Sequence, residues 1–173
     1  MNNFLKMAVF GLVVIGVYTL LAVVYVPSIP TESHEEDSAA RPPASEDELV
    51  LLGEKVFGGK GACALCHNPT GGRAPLLDDI AVRAAERIKD RRYKGGAANA
   101  EEYIYESMVR PSAFVVAGYG VAGTNDTASP MPDVSSGAIG LGDVEIKAVT
   151  AFLQKRAGVP VTVIAPGKEA ASK

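Results

Sequence analysis

Residues 61–75 read GACALCHNPTGGRAP and hold most of the rare sulfur and imidazole side chains of the chain. The 173 residues include only two cysteines and two histidines. Cys63, Cys66 and His67 nevertheless stand within five consecutive positions. Thiol and imidazole groups concentrated in this way predict that the stretch binds a metal or a cofactor, around which the rest of the chain folds.

Three kinds of site use a Cys-x-x-Cys stretch. A structural zinc site needs four tetrahedral ligands, and the only further donor of a suitable type is His34, far outside the stretch. A dithiol redox pair has this spacing but belongs to an alternating strand and helix context that the sequence lacks. A c-type haem site uses both cysteines as thioether attachments and the next residue, His67, as proximal iron ligand. One covalent haem c is favoured because it alone accounts for all three residues.

The sixth iron ligand is expected to be a methionine, because His/Met ligation is common for haem iron. Two of the four methionines belong to the N-terminal apolar segment. Met108 falls in a predicted helix and is interpreted as a core residue. Met131 lies between Pro130 and Pro132, which stiffen the backbone on both sides. Met131 is therefore the predicted distal ligand, and a loop methionine that packs against the haem edge is the alternative interpretation.

Two residues after the cysteines are candidates for supporting roles. A ligating histidine usually donates its second ring N–H to a carbonyl or a carboxylate. Pro75, eight residues after His67, is predicted to supply that carbonyl. Arg73 is a candidate partner of a haem propionate, and a solvated loop arginine is an equally good interpretation.

The chain after residue 44 is predicted to be all-α. Capping boxes at Ser45 and Asn99 open two helices, and Pro111 ends the second. No run alternates in the manner of a strand. The long connections 68–77 and 112–141 need something to enclose, and a haem supplies it. The predicted helices span residues 45–57, 78–89, 99–110 and 143–156.

The N-terminal segment is strongly apolar. Residues 7–26, MAVFGLVVIGVYTLLAVVYV, contain no charge, and twenty helical residues span about 30 Å, the thickness of a hydrocarbon core. A secretory signal peptide has a shorter apolar region of about 7–15 residues. The length favours residues 1–26 as a retained membrane anchor with a single transmembrane helix.

Charges around the anchor predict its orientation. Lys6 precedes the apolar segment and four acidic residues follow it, so the N-terminus is expected in the cytoplasm and the remainder in the periplasm or another extracytoplasmic space. Residues 27–44 contain four prolines and a net acidic charge. This composition predicts a linker rather than folded structure.

The folded domain is placed at 45–158, followed by an irregular tail at 159–173. Acidic and basic residues nearly balance within the domain, and the whole chain carries a net charge of −3, so binding to nucleic acid is not expected. Six basic residues lie between positions 83 and 94. They are interpreted as a solvated helix face, with docking of an acidic partner as the alternative.

Three stretches of sequence carry a resemblance to a known family. GEKVFGGKGACALCHNPTGGRAPLL at 53–77, SPMP at 129–132 and LGDVEIKAVTAFLQ at 141–154 resemble the class I cytochromes c, and the likeness covers the chain from about Leu49 to Leu153. The resemblance implies that the first and last helices of the domain cross closely, with Gly53 and Phe57 meeting Phe152. It also implies the roles given above to Pro75 and Met131.

The sequence departs from that family in two places. Residues 90–98, DRRYKGGAA, look like an insertion, and the chain has no tryptophan. The second departure leaves Tyr103 or Tyr119 as candidate donors to a propionate. The anchored monohaem layout resembles the small cytochrome c subunits of bacterial respiratory complexes.

These features predict an electron carrier rather than an enzyme. A six-coordinate haem leaves no iron position for a substrate, so one-electron transfer between redox proteins at the membrane is expected. An alternative is an obligate subunit of a membrane oxidoreductase that oxidises quinol or reduces nitric oxide or oxygen. A haem-based gas sensor is the third interpretation, and it requires that Met131 does not hold the iron.

Overall fold

The computed structural model describes residues 2–25, 42–70 and 72–169, and every regular element in these ranges is helical. No strand occurs in that part of the chain, which confirms the predicted all-α class. The chain divides into two compact units, one ending at Ala40 and the other beginning at Arg41. Helix α1 belongs to the first unit and the remaining helices belong to the second.

Helix α1 spans Asn3–Tyr25. Its stretch Asn3–Ala22 has a mean hydropathy of 2.2, and none of it is buried. The stretch is long and apolar enough to cross a membrane, a property shared by signal sequences near an N-terminus. The helix begins before the predicted start at residue 7 because residues 3–6 contain no helix breaker. The predicted end at Val26, and residues 27–41 of the predicted linker, lie outside the described residues.

The second unit contains five α-helices and two short 3-10 turns in its described residues. Four of the helices match the predicted ones, with bounds that differ by a few residues. The α-helices are α2 (Glu46–Gly58), α3 (Ile80–Arg87), α4 (Ala100–Val109), α5 (Asp143–Arg156) and α6 (Pro166–Glu169), and the 3-10 turns are Cys63–Leu65 and Pro111–Ala113.

Side-chain caps open two helices where the sequence predicted them. The hydroxyl of Ser45 accepts a hydrogen bond from the Glu48 backbone N–H at 3.2 Å, and the Asn99 side-chain oxygen accepts one from Glu102 N–H at 2.9 Å. Each cap satisfies one of the backbone donors that a helix N-terminus leaves unpaired. The two caps fix the starts of α2 and α4.

Helix α3 is shorter than its predicted range of 78–89. After Arg87 the backbone changes to hydrogen bonds three residues back, with Lys89 N–H donating to the Glu86 carbonyl at 3.1 Å and Asp90 N–H to the Arg87 carbonyl at 3.1 Å. This tighter pattern ends the α-helix.

Helices α2 and α5 cross in close contact. A Cβ atom placed on Gly53 would overlap the Ala148 carbonyl and come within 2.8 Å of the Phe152 Cβ. The rings of Phe57 and Phe152 pack beside this crossing with their centroids 5.4 Å apart. The close approach of Gly53 and the Phe57–Phe152 contact confirm the geometry that the resemblance implied.

The main core lies between the four helices α2, α3, α4 and α5. It consists of apolar side chains contributed by every one of the four helices and by the long connection before α5. Its largest buried members are Val56, Phe57, Ile80, Tyr103, Ile104, Met108, Val134, Leu141, Ile146, Val149 and Leu153.

The tail after Gly158 is more ordered than its predicted irregular conformation. It contains the short helix α6, and Val163 and Ala165 are buried in a second apolar cluster with Leu49 of α2. Ile164, between them, is exposed. The alternation arises because successive side chains of an extended segment point to opposite sides. The packed domain therefore continues beyond the predicted end at 158.

A buried glutamine also holds the tail. The Gln154 side chain is 2% exposed, and its amide donates to the Thr162 hydroxyl at 2.8 Å while its carbonyl accepts from Thr162 N–H at 3.1 Å. Both ends of the buried amide are thus satisfied, as burial requires. The tail is tied to α5 by this pair.

Candidate functional site

The Cys-x-x-Cys-His stretch follows directly from the end of α2. Gly61 N–H closes that helix with a hydrogen bond of 2.8 Å to a carbonyl five residues earlier, and Ala62 has a left-handed φ of 52°. The 3-10 turn Cys63–Leu65 comes next, and His67 N–H donates to the Cys63 carbonyl at 2.9 Å. This tight turn brings Cys63, Cys66 and His67 to the wall of one cavity.

The two thiols are free and differ in their surroundings. Cys63 is half-buried and Cys66 is exposed. Burial raises the pKa of the Cys63 thiol, so this group stays protonated at neutral pH. Two free thiols on one cavity wall, three positions apart, are suited to two covalent bonds with the same bound molecule.

His67 is oriented by a backbone carbonyl. Its Nδ1 atom lies 2.7 Å from the Pro75 carbonyl oxygen, which is the contact predicted from the sequence. Because a carbonyl only accepts hydrogen bonds, Nδ1 carries the proton and Nε2 keeps a free lone pair. Burial lowers the pKa of the imidazole, which favours the neutral form that binds metals.

The cavity behind these residues has a volume of about 550 Å³, within the range of about 300–1,000 Å³ usual for ligand pockets. Helices α2, α3, α4 and α5 and both long connections contribute to its walls. The walls are mainly apolar, and include the side chains of Phe57, Ile104, Phe114, Val134, Val149 and Leu153.

Both methionines of the domain line this cavity. Met131 is partly exposed and sits in a stretch without helical structure, flanked by Pro130 and Pro132. Met108 is buried within α4, as predicted for a core residue, at 5% exposure. Its place on the cavity wall was not predicted. The sequence shows that Met108 belongs to a helix, but it does not show whether the side chain faces packed atoms or a cavity.

Two arginines also line the cavity, and only one of them was predicted. Arg73 is the predicted one. Arg87 was assigned to the solvated basic run, but it follows the buried residues Ile80 and Ala84 at helical spacing. That spacing of seven and three positions places Arg87 on the inward face of α3 and is the signal in the sequence that points to it.

Tyr103 and Tyr119, the two candidate donors, both line the cavity. Tyr103 is 2% exposed, and its ring packs edge-on against Phe114 with centroids 6.4 Å apart. Tyr119 lies in the connection after α4. Its loop is held by the Asp126 carboxylate, which accepts hydrogen bonds of 2.9 Å from Gly118 N–H and from Gly120 N–H.

The insertion-like residues 90–98 pack against the outer side of the cavity wall, beside Tyr103. The Tyr93 hydroxyl donates to the Glu106 carboxylate of α4 and accepts a hydrogen bond from Ala97 N–H at 2.6 Å. Gly96 N–H donates to the other oxygen of that carboxylate at 3.0 Å. The Tyr93 ring packs against Tyr103 at 6.0 Å, so the segment supports a residue that faces the cavity.

Two other cations of the basic run, Arg83 and Arg92, form ion pairs at the surface. Arg83 pairs with Asp79, four residues earlier in the chain. Arg92 pairs with Asp90 at 2.9 Å, and its guanidinium lies 5.0 Å from the centre of the Phe114 ring. These partners account for two of its six cations.

The residues around the cavity fit a covalently bound haem. They supply two thiols, an imidazole with a free ring nitrogen, thioether sulfur, an apolar enclosure, and two cations that match the carboxylates of such a group. Within residues 2–25, 42–70 and 72–169, no three His, Cys, Asp or Glu side chains are grouped so as to hold a metal ion directly. His34, the remaining zinc candidate, lies outside these ranges.

The cavity wall thus presents two free thiols, an imidazole and a thioether side by side. Cys63 and Cys66 would form the bonds to a haem, and His67 and Met131 would face its metal. The chain matches no protein-family model and no curated protein.

Proposed function

We propose that this protein is a one-electron carrier, a membrane-anchored monohaem cytochrome c with His/Met ligation, and not itself an enzyme. The observation that carries the proposal is the grouping of Cys63, Cys66, His67 and Met131 around a single apolar cavity. The four residues come from two parts of the chain about 64 positions apart. Such a grouping has a direct use in holding haem c.

Each residue has a defined part in holding the group. The Cys63 and Cys66 thiols would form thioether bonds with its vinyl substituents. Nε2 of His67 and the sulfur of Met131 would ligate the iron, and the Pro75 carbonyl would fix the imidazole ring. When bound, the haem supplies a ferric/ferrous couple that takes up and releases one electron.

The surrounding walls set the conditions for that couple. Apolar side chains keep water away from the metal, and a dry, low-dielectric surrounding affects the reduction potential. Arg73 and Arg87 would pair with the propionate carboxylates, because guanidinium and carboxylate groups form paired hydrogen bonds. Met131 as ligand raises the potential relative to a second histidine, through the weaker donation of a thioether.

The location follows from α1 and from the charges beside it. An anchor at the N-terminus, with Lys6 on its cytoplasmic side, would hold the haem domain at the outer face of the cytoplasmic membrane. The partners would be redox proteins or a respiratory complex in or on that membrane. Purification from native membranes in mild detergent, with identification of the proteins that co-migrate, tests for such partners.

Covalent attachment is tested with the full chain produced in bacterial membranes together with the haem attachment machinery. The chain should keep haem after denaturing electrophoresis, detected by haem stain. The double variant Cys63→Ala/Cys66→Ala should lose the stain. A full chain without stained haem would refute the proposal.

Iron ligation is tested with the two methionines as a matched pair. The ferric protein should show the weak near-infrared band of a sulfur–iron bond. Met131→Ala should abolish this band, and Met108→Ala, which removes the other cavity methionine, should retain it. If the band survives Met131→Ala, Met131 is not the ligand. If the unmodified protein binds carbon monoxide readily, the iron has an open position and the proposed electron carrier is contradicted.

A further inference from the structure

The stretch from Ser129 to Pro132 has few ways to be held in place. Proline has no backbone N–H, so Pro130 and Pro132 donate no hydrogen bond. The N–H groups of Ser129 and Met131 are the two donors that remain in this stretch. Every backbone hydrogen bond that this stretch donates therefore comes from one of those two groups.

Serine hydroxyls accept from both donors. Ser129 N–H donates to the Ser112 hydroxyl at 3.0 Å, and Met131 N–H donates to the Ser129 hydroxyl at 3.1 Å. The second contact spans two residues and closes a local turn of the type that serine commonly forms. The first contact joins positions 17 residues apart and is therefore a tertiary tie.

Ser112 is itself part of a well-fixed turn. It is the central residue of the 3-10 turn Pro111–Ala113, directly after α4. The Ala113 carbonyl accepts a hydrogen bond from Lys94 N–H at 2.8 Å, and Ala113 N–H donates to the Arg110 carbonyl at 2.8 Å. Ser112 thus links Met131, through Ser129, to the end of α4.

We propose that Ser112 and Ser129 are positioning residues for Met131, which hold its backbone so that the thioether stays at the iron. The inference rests on the proposed function, because it assigns the two hydroxyls a part in His/Met ligation. A thioether is a neutral, soft ligand that another donor can replace. A backbone fixed by two hydrogen bonds reduces the conformational freedom that the thioether would gain by leaving.

The test measures competition for the Met131 position. Imidazole is titrated into the ferric full-length protein in detergent, and its apparent affinity is read from the loss of the near-infrared sulfur–iron band. Ser129→Ala and Ser112→Ala should each tighten imidazole binding by about 2- to 10-fold, as expected for the loss of one hydrogen bond. Ser129→Thr keeps a hydroxyl and should restore most of the original affinity.

Ser107→Ala is the matched control. Ser107 also lines the cavity, but its hydroxyl donates to the Tyr103 carbonyl within α4 at 2.8 Å. Its loss removes a hydroxyl from the same cavity and leaves both hydrogen bonds of the Met131 stretch in place, so imidazole affinity should stay unchanged. Ser129→Ala and Ser112→Ala variants that bind imidazole no more tightly than Ser107→Ala would overturn the inference.

The two proposals fail in different ways. If the band is already absent from the unmodified protein, or persists in Met131→Ala, the assignment of Met131 as ligand is wrong and the positioning role falls with it. If Met131→Ala abolishes the band and the serine variants match the Ser107 control, only the positioning role is wrong.

Discussion

Gly53 of α2 lies so close to the Ala148 carbonyl of α5 that no side chain fits between them. The contact joins helices about 95 positions apart in the chain. The contact sets the distance between the two helices. It therefore also sets the positions of Phe57, Val149 and Leu153, which these helices contribute to the cavity wall.

Gly53→Ala should destabilise the domain by about 1–3 kcal/mol, because the added methyl group forces two tightly packed helices apart. Gly58, in the same helix, has no atom within 4 Å of an added Cβ, so Gly58→Ala should leave stability unchanged or raise it by about 0.5–1 kcal/mol. Denaturant unfolding of the full chains in detergent compares the two. Equal effects would show that the crossing tolerates a side chain.

Pro75→Gly should raise the reduction potential of the proposed haem by about 20–60 mV. This is the free energy of one hydrogen bond expressed as the potential of a one-electron couple. The Pro75 carbonyl accepts from the His67 imidazole at 2.7 Å. In the proposed haem protein this contact would make the imidazole a stronger donor to ferric iron. Glycine keeps the carbonyl but lets the backbone move, which weakens the contact. Pro160→Gly, in the tail, serves as control for redox titrations. A potential that falls, or that shifts equally in both variants, would argue against this role.

Asp126 should make the loop around Tyr119 sensitive to acid. Hydrogen bonds from Gly118 and Gly120 N–H lower the pKa of its carboxyl, and Arg92 adds to the decrease. Since the pKa is lower in the folded state, the stabilisation is complete above the unfolded pKa of about 3.9 and is lost as the pH falls through the folded value.

The measurement is an NMR titration of the Gly118 and Gly120 amide protons from neutral to acid pH. Both should shift together with a midpoint below that of an ordinary aspartate. Asp126→Asn should remove the transition. A midpoint at or above the ordinary value would show that these hydrogen bonds do not favour the charged carboxylate.

Val163→Ser should destabilise the domain by about 1.5–3 kcal/mol, the value of burying one valine side chain. Val163 is buried against Leu49, and its neighbour Ile164 is 60% exposed. Ile164→Ser is therefore a control of the same chemistry one position along, with little expected loss. Thermal unfolding of both variants distinguishes a packed tail from one that does not contribute to stability.

Local signals in the sequence predicted a large part of this architecture. The caps at Ser45 and Asn99 and the bounds of α5 depend on interactions between residues a few positions apart. The apolar character of α1 is likewise a property of a continuous segment. Such features are determined by residues that are close in the sequence, so they can be predicted without knowledge of the rest of the fold.

The tertiary structure alone decided several of the contacts between distant groups. It placed Met108 on the cavity wall, tied Ser129 to Ser112 and buried Val163 against α2. Each contact joins residues whose neighbours in the sequence give no indication of the pairing, because it follows from how whole helices and connections pack. The sequence by itself determined the chemistry of Cys63, Cys66 and His67; packing determined what surrounds it and how firmly Met131 is held.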